Sequence, residues 1–185
     1  MIKILRYGEV ENKDIFARVE PRVNVEETVT QIIDNVRENG DKALFEYCEK
    51  FDGAKLDALE VTKDEILAAV EQTEPQFMEI LKKAEKNIRK FHEKQVRNSF
   101  IINDEKGIIM GQKVMPIDTV GLYVPGGTAA YPSTVLMDAV PAKIAGCPNV
   151  VIVTPPSDDG KVNSAILAAA YVAGVDRIFK VGGAQ

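Results

Sequence analysis

From about Asn24 to Gln95, apolar residues recur three and four positions apart, the spacing of helices that bury one face. Val25, Val29, Ile32, Ile33 and Val36 make the first stripe, with Asn24 as N-cap, Glu27 three residues on, and Gly40 as the stop. Asp41 is placed to cap a second helix bearing Leu44, Tyr47, Cys48 and Phe51, which ends at Asp52-Gly53. Thr62 and Glu65 have capping-box spacing ahead of Ile66, Leu67 and Val70. Thr73, with Pro75 in the first turn and Gln76 at the box position, predicts a long helix striped by Phe77, Ile80, Leu81, Ala84, Ile88 and Phe91.

After Asn98 the pattern changes. Ser99 to Asn103 and Ile108 to Met115 are short β-prone runs joined by Asp104-Glu105-Lys106-Gly107, a hairpin pattern. Strands and helices then alternate. Thr119 to Val124 reads as a strand, followed by Pro125-Gly126-Gly127 and a helix from about Ser133 to Gly146. Val150 to Thr154 is an almost unbroken apolar run, as in a strand covered on both faces. Val162 to Ala173 is an alanine-rich helix stopped by Gly174, and Arg177 to Val181 a third strand. Strand–helix–strand–helix–strand with short links predicts a parallel sheet with right-handed crossovers. The expected class is α/β: a mainly helical region over 1–98, then a hairpin and an incomplete Rossmann-like βαβαβ half-sheet over 99–185.

Composition narrows the function. A chain of 185 residues with 45% hydrophobic and 28% charged residues can bury a core without disulfide or metal staples. The net charge of −5 gives no electrostatic reason to expect nucleic acid. Lys82, Lys83, Lys86, Arg89 and Lys90 alternate with Glu79, Glu85 and Glu93, the signature of a solvated helix face. Cys48 and Cys147 lie among apolar neighbours and are expected reduced and buried. His92, the single histidine, has no partner at metal-ligand spacing and reads as structural. The start, Met-Ile-Lys-Ile-Leu-Arg, lacks a signal-peptide core, and no apolar run could span a bilayer, so a soluble cytoplasmic protein is expected.

Ligands of open parallel sheets bind beyond the carboxyl ends of the strands. Three loops qualify: Pro125 to Pro132, Thr154 to Gly160, and Gly182 to Gln185. Gly126 and Gly127 permit close backbone approach, and Ser133 and Thr134 open a helix whose N-terminal end suits a phosphate or carboxylate. A plain turn with a serine N-cap explains the same residues. Tyr123 either stacks on a flat ligand or packs. Pro-Gly-Gly-Thr is neither a dinucleotide fingerprint nor a Walker loop, so the spacing alone does not select NAD. The final Gly182-Gly183 stands where a further loop and helix are due, which points to part of a longer protein.

Several linked blocks carry a more specific resemblance. They are Val120-Gly-Leu-Tyr-Val-Pro-Gly-Gly-Thr128, Tyr131-Pro-Ser-Thr-Val-Leu-Met137, Pro141-Ala-Lys-Ile-Ala-Gly-Cys147 and Val181-Gly-Gly-Ala-Gln185. In order and spacing they resemble histidinol dehydrogenase, and the likeness extends over essentially the whole chain. It implies an aldehyde dehydrogenase-like sheet and oxidation of L-histidinol to L-histidine, via L-histidinal, by two NAD in histidine biosynthesis. It also implies one zinc ion per site and an intertwined homodimer. Tyr123 and Gln185 match the family's cofactor-contacting tyrosine and glutamine; Ser133 and Thr134 match its loop-to-helix segment. The family's zinc ligands, its catalytic glutamate and histidine, and a further cofactor-binding asparagine come from later in its sequence. None can be carried over here, and His92 matches none of them. The chain is therefore expected to be the N-terminal part of such an enzyme, inactive by itself. The competing expectation is a stand-alone anion- or nucleotide-binding module without catalysis. A hydrolase or transferase reading finds no nucleophile elbow.

Overall fold

The computed structural model describes residues 4–16, 25–126 and 130–185, without the side chain of Asp14. A four-residue turn of helix, α1 (Asn12–Ile15), precedes α2 (Glu26–Asn39) and α3 (Asp41–Tyr47). Asn24, expected as the first cap, lies outside the described residues; α2 has Val25 in the cap position and makes no side-chain cap bond. Gly40, at φ 56°, serves both helices, so Asp41 is the first residue of α3 and not its cap. There its carboxylate sits in the first turn and complements the helix dipole. A π-helical turn, Cys48–Asp52, extends α3 and ends at Gly53 in the left-handed region.

The capping box forms as its spacing predicts. In α4 (Lys63–Gln72) the Thr62 hydroxyl accepts from the Glu65 amide, and the Glu65 carboxylate accepts from the Thr62 amide. The next expected cap does not form. Thr73 closes α4 by donating its hydroxyl to the Ala69 carbonyl at 2.7 Å, and Glu74 precedes α5 (Pro75–His92). A threonine between two helices was claimed by the earlier one, a choice spacing cannot make. On α5 the inward face is Met78 and Leu81, flanked by Phe77, Ala84 and Ile88, while Ile80 and Phe91 face outward. On α2 only Ile32 of the expected stripe is buried, with Val36 packed beside it.

Strands β1 (Phe100–Ile102) and β2 (Met110–Gln112) pair antiparallel, shorter than the β-prone runs that contain them. Every residue of both strands is exposed. The parallel sheet follows, in the order β3 (Thr119–Tyr123), β4 (Asn149–Thr154), β5 (Arg177–Lys180). Its links are α6 (Pro132–Ile144) and α7 (Ser164–Ala173). α6 starts one residue ahead of the expected Ser133, with Tyr131 in the cap position. α7 starts two residues after the expected Val162, because the Asn163 side chain accepts from the Ala165 amide and fixes the boundary there.

One hydrophobic core joins Val120, Leu122, Val150, Ile152 and Ile178 of the sheet to α6 and α7, and these to α4 and α5 behind them. α7 lies between α6 and α4, so it is apolar nearly all round: Ile166, Leu167, Ala168, Ala169 and Ala170 are buried. The small alanines let the neighbouring helices approach. The sheet itself is not covered on both faces as β4 suggested. Val150, Ile152 and Thr154 are buried, but Val151 and Val153 on the opposite face are only half-buried. Beyond β5 the chain adds a further edge: residues 59–61 run antiparallel to it, with Val61 N–H donating to the Ile178 carbonyl and Lys180 N–H to the Leu59 carbonyl.

Candidate functional site

The three strand-end loops meet at Pro155. A β-carbon on Gly126 would stand 2.8 Å from Pro155 Cγ, and one on Gly182 would stand 2.6 Å from Pro155 Cβ. Neither contact is tolerable, so both positions require glycine while Pro155 lies between them. Val124 N–H donates to the Val153 carbonyl, carrying the ladder one residue past β3 and fixing where the first loop leaves the sheet. Gly127 lies outside the described residues.

Tyr123 ends β3 and is 48% exposed. The strand register sets Tyr123, Val153 and Phe179 abreast on the half-open face. A cavity of about 540 Å³ opens on that face, walled by Leu44, Phe45, Leu59, Val153, Phe179, Val181 and Gln185. The fold thus brings Tyr123 and Gln185 to one side of the sheet, from positions far apart in sequence. Gln185 Oε1 is buried and has no hydrogen-bond partner among the described residues. Buried carbonyl oxygens of this kind cost free energy unless something donates to them, so a ligand donor there has a partner waiting. Gly183, at φ 65°, makes the turn that brings the Gln185 amide back, a left-handed conformation that a side chain at 183 would strain.

Ser133 and Thr134 occupy the first turn of α6, the former exposed and the latter half-buried. The Thr134 amide is taken by the Tyr131 carbonyl. Tyr131 holds the cap position and makes no side-chain cap bond, so Ser133 lies inside the helix and is not its N-cap.

Sequence reasoning missed the polar group on the buried face. Lys180 is 8% exposed and its ammonium meets Glu65 Oε1 at 2.7 Å. Thr154, its neighbour across the ladder, is fully buried, its Oγ1 without a hydrogen-bond partner among the described residues. The available hint was a lysine interrupting the apolar run Ile178-Phe179-Lys180-Val181. Burial works against the Glu65 charge, but bonds from Lys180 and Thr62 outweigh it and hold the carboxyl below the usual range. At the opposite end of β4, burial likewise opposes the charge on Asp176, and Lys143 with the Val150 amide lowers its pKa overall. Asp52 goes the other way, raised by burial, and its Oδ2 has no hydrogen-bond partner among the described residues.

His92 shares a 2.6 Å hydrogen bond with Gln95 and lines a separate cavity with Pro116, Ile144 and Ala145, at the far end of the sheet from the three loops. Among the described residues no three His, Cys, Asp or Glu side chains are grouped to hold a metal. These residues therefore do not fit a zinc site. Both cysteines are free and buried, as their neighbours suggested.

A parallel sheet with helical crossovers and three loops converging past its strand ends defines an α/β domain of the open-sheet type. The histidinol dehydrogenase family profile matches residues 17–185, and the chain belongs to that family. It is 52% identical over 190 aligned positions to a histidinol dehydrogenase of Clostridium acetobutylicum, covering 100% of this chain and 44% of that protein. With the Geobacillus kaustophilus histidinol dehydrogenase it shares 54% identity over 157 positions, 85% of this chain and 37% of the relative. The crystal structure of histidinol dehydrogenase from Elizabethkingia anophelis superposes with a TM-score of 0.85 at 38% identity, covering 91% of this chain and 39% of that one. The chain thus spans less than half the length of these relatives.

Proposed function

We propose that this chain is the N-terminal, NAD-binding part of an enzyme that oxidises L-histidinol to L-histidine through L-histidinal in histidine biosynthesis. Family membership supports the reaction class. The observation that supports the cofactor site is Gln185 Oε1, buried without a hydrogen-bond partner among the described residues, in a cavity on the sheet face where Tyr123 stands abreast of Val153. When bound, NAD supplies the hydride acceptor, twice per histidinol. In this reading Tyr123 offers a flat apolar surface and Gln185 accepts a hydrogen bond from the cofactor. Gly126 and Gly127 let backbone approach it, and Ser133 and Thr134 present hydroxyls at the start of α6. The base for the alcohol proton and the zinc ion that the family resemblance implies belong to residues outside this chain, as does the homodimer partner's contribution. The helical region over 1–98 and the sheet region over 99–185 serve as support and binding part respectively, and the enzyme works in the cytoplasm.

The 185-residue chain by itself is expected to form no NADH from histidinol and to bind NAD weakly. Absorbance assays and calorimetric titration check both. Turnover abolished by a chelator would overturn the division of labour proposed here. Tight NAD binding without turnover would instead favour a stand-alone module.

A further inference from the structure

Lys180, the last residue of β5, has three polar groups, and residues 48–65 bind all of them. Its N–H donates to the Leu59 carbonyl at 2.7 Å. Its ammonium meets Glu65 at 2.7 Å. Its carbonyl accepts from the Cys48 thiol at 3.3 Å. The next residues continue the contact with the same helical unit. Ala184 packs on Ile32, Ala43 and Tyr47, and Gln185 shares a cavity wall with Leu44 and Phe45. Cys48 belongs to neither apolar cluster of the core, although it is fully buried. Burial foremost, and the nearby Asp52 charge after it, raise the thiol pKa, so the sulfur keeps the proton it donates.

Cys48 opens the π-helical turn, a geometry that recurs where a helix must set a functional group. We propose that α3 and this turn are a positioning device for the Gly182–Gln185 loop, with Cys48 as its key residue: by fixing the Lys180 carbonyl it sets where Gln185 stands, and so sets cofactor affinity. The proposal rests on the reading of Gln185 as an NAD contact. Cys48 touches neither cofactor nor substrate in this scheme and acts only through the loop.

The test uses the full-length protein in steady-state assays with NAD and histidinol varied separately. Cys48→Val removes the donor at similar volume. It is expected to raise the KM for NAD about threefold to tenfold, the usual effect of one lost hydrogen bond, with kcat and the KM for histidinol held within about twofold. Cys48→Ser keeps a donor and is expected to restore the KM for NAD. Cys147→Val, at the other buried cysteine, loses comparable packing and is expected to leave it unchanged. Should valine prevent folding, Cys48→Ala removes the donor without added volume, and the same split is expected of it. An unchanged KM for NAD in the donor-less variant, or an equal rise in Cys147→Val, would overturn the proposal. Gln185→Ala distinguishes the cofactor contact from the positioning role. If it leaves NAD affinity unchanged, the cofactor reading fails and the positioning role falls with it; if it weakens NAD while Cys48→Val does not, the positioning role alone fails.

Discussion

Ile152 in β4 is fully buried, whereas Ile101 in β1 is 76% exposed, although both sit in β-prone runs. The parallel sheet is covered on one face by α6 and α7, which are backed by α4 and α5, and its β5 edge is closed by residues 59–61. Among the described residues the hairpin strands pair only with each other, helped by Ser99, whose hydroxyl accepts from the Val114 amide at 2.9 Å. Strand-forming residues therefore make a strand in both places but a core in only one. What separates them is the helices that follow β3 and β4 in the chain, each returning across the same sheet face.

The same substitution in the two regions tests this contrast most directly. Ile152→Ala should destabilise the protein by about 2 to 5 kcal/mol, the cost of a cavity in a packed core, read from urea unfolding. An effect below about 1 kcal/mol would mean the sheet is far looser than its burial implies.

The tie between the sheet and the preceding helices ranks next. Glu65→Gln keeps the capping geometry but removes the charge opposite Lys180, and should cost about 1 to 2 kcal/mol at neutral pH. The folded-state pKa of Glu65 is lowered, so its contribution is present above the ordinary glutamate range and lost as pH falls through the folded value. Wild type and variant should therefore converge in stability as the solution is acidified, and a gap that persists in acid would assign the loss to packing. The smallest effect belongs to the hairpin. Ile101→Ala should change stability by no more than about 0.5 kcal/mol. A larger loss would show that the hairpin is covered in solution by something beyond the described residues.

Local rules made much of this legible. The Thr62–Glu65 box, the glycine stops and the alternation after position 116 each depend on residues within a turn or two of one another, and each appears where its spacing put it. Long-range polar pairing left no such trace. Lys180 meets Glu65 across 115 positions and Cys48 across 132, and beyond the lysine's place in an apolar run nothing local names either partner. The second face of β4 was misread for a related reason: a continuous apolar run is the same whether its outer face is covered or lines a half-open cavity. At the site, the glycines were readable as places of close approach. What approaches Gly126 and Gly182 is Pro155, which only the fold could reveal. The cofactor role proposed for Tyr123 and Gln185 rests on the family resemblance, because a tyrosine at a strand end and a glutamine after two glycines fit many roles.

That shared proline has a genetic corollary. Gly126 and Gly182 are 56 positions apart (182 − 126), yet their tolerance to change is governed by one residue between them. An alanine at either site is blocked by the ring or backbone of Pro155, so single replacements at both should be deleterious in any mutational scan. A second-site change relieving them has an obvious address: Pro155→Gly removes the ring atoms that crowd both sides. Suppressors of two separate lesions would then converge on one codon, an epistatic signature that follows from steric contact alone.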